Sequence, residues 1–291
     1  MLSKIKNNQK KRRKFLSGII YPLIIGSTLI GILGLGILLF EILDKGLPWL
    51  SMDFLNNFPS RHPEQAGIKA ALYGTIWITS LTALFSIPLG VGAAIYLEEY
   101  APNNRITQFI SLSITNLAGV PSIVYGLLGL GLFVNFLALG RSLLAGSLTL
   151  TLLILPIIII ASREAISSVP MNYRLAAFAL GATKWQSIRY AILPSALPGF
   201  LTGIILALSR AIGESAPVLA ITALVYITFT PTGPLDRFTV LPIQIFNWIS
   251  RPQEDFAGIA AAGIIILLVI LLSMNSVAIF VRNKYQKRRV E

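Results

Sequence analysis

The sequence predicts an all-α polytopic membrane protein with six spanning helices and no sizeable soluble domain. Three observations carry that reading. Of 291 residues, 55% are hydrophobic and only 12% are charged, against about 25% charged in soluble domains. The mean hydropathy is +0.75, and several apolar runs exceed the roughly 18 residues that mark a spanning helix. Between those runs, no polar stretch is long enough to enclose a core of its own.

The first element is a basic tail, Lys4, Lys6, Lys10, Lys11, Arg12, Arg13 and Lys14, followed by an apolar run from Phe15 to Leu43. That run is too long for a signal-peptide core and lacks a small-x-small cleavage site, so it reads as an uncleaved first span, 16–43. Asp44, Gly46, Pro48, Pro59 and Pro63 make 44–69 an irregular loop. The sole histidine, His62, lies between Arg61 and Pro63 and reads as a solvated loop residue. The second span is 70–97.

The third span, 106–137, is unusual because its middle reads Asn116-Leu-Ala-Gly119-Val-Pro121-Ser122-Ile-Val-Tyr125-Gly126. Irregular backbone at that depth is tolerated where it is buried in protein or lines a cavity. Two readings fit. Pro121 opens a new half-helix whose N–H groups, including that of Ser122, face the bundle interior and suit an anion. Alternatively, Pro121 merely kinks a continuous helix whose small residues serve packing. Asn116, Ser122 and Tyr125 are the candidate pathway residues on the first reading.

The fourth span is 143–162, and a mixed segment from Met171 to Pro198 follows it, with Arg174, Lys184 and Arg189 and no acid. Leu175, Phe178 and Ala179 fall at helical spacing, which predicts a short helix over 172–180 with one apolar face. Gly181 stands where a C-terminal capping glycine belongs. Thr183 and Gln186 have the spacing of a capping box. Trp185, Ile188 and Ile192 make a second stripe, with Pro194 expected to close it. A helical hairpin at 171–194, on the face of a membrane protein, is a shape another protein can grip.

The fifth span, 196–228, holds Ser209-Arg210-Ala-Ile-Gly213-Glu214-Ser215-Ala-Pro217. Arg210 and Glu214 are four apart and share a helical face. Each would cost about 2.5–3.5 kcal/mol facing lipid on insertion scales, so both face the interior. The pair reads as a gate or site for a charged solute, with a structural ion pair as the alternative. Beyond it, Phe229-Thr-Pro-Thr-Gly-Pro marks a turn, and Val240–Ile249 is apolar but too short to span. That stretch reads either as an interfacial or re-entrant helix, with Trp248 near the headgroups, or as a cap on the bundle. The sixth span is 256–281, followed by Arg282, Lys284, Lys287, Arg288 and Arg289.

The net charge of +12 sorts by topology. With the N-terminus inside, seventeen Lys and Arg fall on inner segments, six on outer ones, and Arg210 within a span. The positive-inside rule then puts both termini and the 171–194 hairpin in the cytoplasm. Basic tails beside spanning helices account for the charge through orientation and anionic lipid, so no nucleic-acid partner is expected. There are no cysteines, which excludes disulfides and thiolate metal sites. No metal-ligand spacing, phosphate-binding Gly-x-x-x-x-Gly-Lys-Ser/Thr loop or nucleophile–base pair occurs. An enzyme is therefore not expected, and any ATP-driven step needs a nucleotide site on another chain.

Tyr173-Arg-Leu-Ala-Ala-Phe-Ala-Leu-Gly181, continuing to Ile192-Leu193-Pro194, resembles the EAA coupling loop of ABC importer permeases. Leu175 stands where that family often has Glu. Gly119–Gly126, Arg210–Pro217, Pro88–Pro102 and Phe238–Trp248 are similar to the phosphate permeases in particular. The resemblance covers about 68–285. It implies a type I ABC importer permease fold, in which 1–15 is a basic tail and 16–67 the first span and external loop. A permease domain then occupies 68–285, and 286–291 form a second tail.

The resemblance also implies a complex in a bacterial plasma (inner) membrane: a second homologous permease, two ATPase subunits inside and a phosphate-binding protein outside. This chain would bind no cofactor, ATP and Mg being used by the ATPase. Carried over by position, Tyr173, Arg174, Ala176, Ala177, Gly181, Ala182, Thr183 and Trp185 are the coupling residues. Arg210, Glu214 and Ser215 join Asn116, Ser122 and Tyr125 on the pathway. Another oxyanion, sulfate or molybdate, and a stand-alone ion-coupled transporter are the alternatives.

Overall fold

The computed structural model describes residues 2–222 and 226–287, and among them the chain is helical with no strand. Helix α1 (Leu2–Gly46) is followed by a loop holding the short α2 (Met52–Asn56). Next come α3 (Lys69–Ile95), extended by a wide π turn Tyr96–Tyr100, then α4 (Arg105–Ala118) and α5 (Ser122–Gly129). Helix α6 (Leu143–Ser167) leads into the hairpin, α7 (Met171–Ala179) and α8 (Lys184–Ser187). Then α9 (Leu193–Gly213), α10 (Ala216–Thr222), α11 (Leu241–Ile249) and α12 (Asp255–Lys287) complete the chain.

Among the described residues, five helical segments are long and apolar enough to cross a membrane: Ile20–Trp49, Lys69–Tyr100, Leu143–Ser167, Lys184–Gly213 and Asp255–Lys284. The pair Arg105–Ala118 and Ser122–Phe136 makes a sixth, bent by 102°. The chain is a multi-pass membrane protein. Helix α6 is its axis, with α3 and α9 against it and two thirds of its most apolar stretch buried, whereas that stretch of α1 has no buried residue. Ile78, Leu150, Ile154, Ile158, Ala207 and Val218 form the central core. Where α9 meets α6, Gly199 and Gly203 face Ala165 and Ala161, small residues that let the backbones close up.

Helix ends in a bundle need partners for their free N–H groups. Ser142 caps α6 by accepting from Ala145 N, while Leu143 N and Leu144 N donate to Asp236 O and Pro234 O at 3.0 and 2.8 Å. The loop before α11 is thereby fixed on α6. At α11, Leu241 N donates to Thr75 Oγ1 on α3 at 2.9 Å.

One open choice narrows and two expectations change. Trp248 is 0% exposed and packs on Phe54, with α11 set against α3 and α12. Of the two readings of 240–249, this burial favours the cap on the bundle. Pro194 does not close the hairpin's second arm. A proline clashes with the carbonyl four residues back, but here the π turn Ile188–Ile192 directly precedes it and the helix continues. The helix that carries the fifth span thus begins at Lys184 rather than 196, and it ends at Gly213. Finally, Leu175, Phe178 and Ala179 are exposed, whereas Ile188 and Ile192 are buried.

Candidate functional site: a charged break and a helical hairpin

Two spans are broken, and the half-helices that follow the breaks meet. Gly119 ends α4, Pro121 is extended (φ −55, ψ 136), and α5 starts at Ser122. The 102° turn is far beyond a proline kink and matches the half-helix reading. In the fifth span, α9 ends at Gly213 and Glu214 turns extended (φ −76, ψ 115) before α10. Helix α5 then packs on α10. A Cβ on Gly126 would lie 2.7 Å from Pro217 Cα, so only glycine allows this crossing.

Arg210 occupies the last turn of α9, where a cation complements the helix dipole. Its Nε donates to Glu214 Oε1 at 3.0 Å, with side chains 43% and 17% exposed. The ion pair therefore spans the break rather than a continuous helical face. Tyr125 is buried and donates through its hydroxyl to Leu117 O at 2.8 Å, closing the end of α4 across the first break. Asn116 and Ser215 are exposed, and Ser122 is half-buried. Behind Arg210, Ser209 Oγ donates to Asn275 Oδ1 and ties α9 to α12.

The hairpin is built as its capping residues dictate. Gly181 has φ +80; its N donates to Phe178 O, and Ala182 N donates to Ala177 O, at 2.9 and 3.0 Å. These are the two bonds of a Schellman ending. Thr183 and Gln186 form the capping box, with Thr183 N donating to Gln186 Oε1 and Gln186 N to Thr183 Oγ1. Tyr173, Ala176, Ala177, Gly181 and Ala182 line one groove of about 600 Å³ with Leu180 and Tyr190. Leu180 is 90% exposed, and Trp185 is also exposed. Thr183 serves the cap.

Arg174 faces the other way, into the bundle, and meets a residue that spacing did not single out. Its Nη2 donates to Glu99 Oε1 at 2.6 Å, with side chains 15% and 9% exposed. Glu98 beside it pairs with Arg163 at 3.3 Å, and Arg163 Nη1 donates to Ser111 Oγ at 2.9 Å. Two adjacent acids at the end of an apolar span were the signal in the sequence. Their partners lie 65 and 75 residues on, so no local pattern links them.

Residues 86–285 match the family model described as "Binding-protein-dependent transport system inner membrane component". The "Probable ABC transporter permease protein YqgI" of Bacillus subtilis is 33% identical over 285 residues, covering 93% of this chain and 95% of that one. The "Phosphate transport system permease protein PstA" of Haemophilus influenzae is 33% identical over 283 residues, covering 97% and 96%. A bacterial alginate ABC transporter crystallised with an alginate-bound periplasmic protein has a chain of the same fold. Its TM-score is 0.64 at 18% identity, over 92% of this chain and 93% of that one. The broken spans, the hairpin and the matched 200-residue region coincide, and the chain belongs to the family of inner membrane components of binding-protein-dependent transport systems.

Proposed function

We propose that this chain is a transmembrane permease subunit of an ATP-driven phosphate importer in a bacterial plasma membrane, with both termini and the hairpin in the cytoplasm. One observation carries the coupling part. The hairpin's second arm, which gives Gln186, Tyr190 and Ala191 to the groove, and Arg210 lie on a single helix, Lys184–Gly213. At 1.5 Å per residue that helix is roughly 45 Å long, so a push at one end is delivered at the other. ATP binding closes two ATPase subunits and pulls on the hairpin. The bundle opens outward to a phosphate-binding protein. Arg210 offers a cation to the passing anion, and Glu214 tempers it, since a pathway must release what it binds.

Phosphate as the solute is supported by the name of the Haemophilus relative, and the outer binding protein by the alginate complex. A second permease belongs to the same reading, and α4, which has no buried residue and exposes Ile106, Phe109 and Leu112, leaves an apolar face open to such a partner or to lipid. The test is purification of the tagged chain with its neighbours, then uptake into proteoliposomes. ATP-dependent phosphate uptake, uncompeted by sulfate or molybdate, is expected. Uptake without an ATPase subunit would sink the importer reading, and competition by sulfate or molybdate would change the solute.

A further inference from the structure

We propose that Glu99 and Arg174 are a positioning pair that ties the coupling hairpin to the end of α3, giving the stroke a second outlet besides α9. The proposal rests on the coupling role given to the hairpin above. Position alone makes Arg174 an ATPase contact, but its guanidinium is already taken. It donates to Glu99 Oε1 through Nη2 and Nε at 2.6 and 3.2 Å, to Val169 O at 3.0 Å and to Ile166 O at 3.3 Å. An exposed ion pair contributes little. This one is largely shielded and also satisfies two carbonyls at the end of α6, so its geometry is held. Arg174 is absent from the groove that its neighbours Tyr173 and Ala176 line.

The other end of the tie is equally fixed. Glu98 and Glu99 sit in the π turn Tyr96–Tyr100, and successive helical residues point about 100° apart. Glu98 therefore reaches Arg163 on α6, which is joined to Ser111 on α4, while Glu99 reaches the hairpin. Lys184 Nζ lies 5.0 Å from the Tyr100 ring, a second contact between hairpin and turn. Without Glu99–Arg174, α7 would rock about Val169–Pro170 and leave α3 behind.

The test uses the whole transporter in proteoliposomes, wild type beside Glu99→Gln, Arg174→Gln and the double variant. It reads phosphate imported per ATP hydrolysed, and amide exchange over 171–182 with no solute present. Each single variant is expected to lower the ratio roughly tenfold, with ATP hydrolysis retained and exchange faster. The double variant is expected to match the singles rather than multiply them. A merely structural pair would lower the yield of complex and leave the ratio of the survivors unchanged. That result, or multiplied losses, overturns the proposal. Should the Gln variants not assemble, Glu99→Asp keeps the charge with a shorter reach, and a wild-type ratio there overturns it too. If wild type imports no phosphate, the transport reading fails, and the exchange data alone decide the tie: unchanged exchange in Glu99→Gln defeats it.

Discussion

Gly126 and Pro217 are in backbone contact: a Cβ on the first would stand 2.7 Å from Cα of the second and 3.0 Å from Ala220 Cβ. This crossing joins α5 to α10, the two half-helices that follow the breaks. Neither partner can yield by rotating a side chain, because the nearest atoms are backbone.

Gly126→Ala is therefore expected to push α5 off α10. Overpacking of this kind costs about 1–3 kcal/mol. The midpoint of thermal unfolding in detergent should fall, and uptake should fall with it. Gly92, with nothing within 4 Å, is the control, and Gly92→Ala should leave both unchanged.

Arg210→Gln removes the cation at the second break. Uptake should drop to background while the complex still co-purifies. Glu214→Gln instead leaves Arg210 untempered. Half-saturation should then come at lower phosphate, with a lower maximal rate. Steady-state uptake at graded phosphate reads both, and a wild-type rate in Arg210→Gln would refute the gate role.

Gly181 holds φ +80 with open space around it, so a substitution there acts through backbone strain alone. For most residues the left-handed region costs roughly 1–2 kcal/mol, and Asn enters it more readily. Gly181→Val should lower phosphate import per ATP more than Gly181→Asn. Equal effects would point to a side-chain contact instead. Gly181→Asp should also uncouple hydrolysis from import, measurable in the same vesicles.

Asp236 is held ionised by the N–H groups of Thr232 and Gly233 and by the Thr232 hydroxyl, which together lower its pKa. A depressed folded value means the loop's added stability is present above the ordinary carboxylate range. It is lost as pH falls through the folded value. Because Asp236 O also receives Leu143 N, acidification should loosen the start of α6. Protection of the amides over 232–236, taken relative to the intrinsic exchange rate at each pH, should fall at low pH in wild type. In Asp236→Asn that protection should already be low at neutral pH and should not change with acid.

Much of the hairpin was legible because its signals are local. Gly181, Thr183 and Gln186 act on atoms within a few residues, and the structure makes those bonds. Pro194 misled for a related reason. Proline usually ends a helix, yet a wide turn just ahead removes the clash, and nothing in the residues Ile188–Ile192 announces such a turn. Trp248 left two readings open because an aromatic beside an apolar run suits an interface as well as a core. Only its packing on Phe54 and the burial of α11 separate the two.

By itself the sequence determined the class, the number of spans, the irregular stretch at Gly119–Pro121, as either a break or a kink, and the charged pair at Arg210 and Glu214. Hydropathy, missing backbone donors and the cost of charge in lipid are properties of short stretches. The tertiary structure alone decided that the half-helices after the two breaks touch at Gly126 and Pro217 and that Pro121 breaks its span rather than kinking it. It also decided that Arg174 belongs to Glu99, 75 residues away, and that the hairpin's second arm and Arg210 share one helix. Those are pairings between surfaces of separate helices. Many other pairings would satisfy the same apolar faces, and only the assembled bundle selects among them.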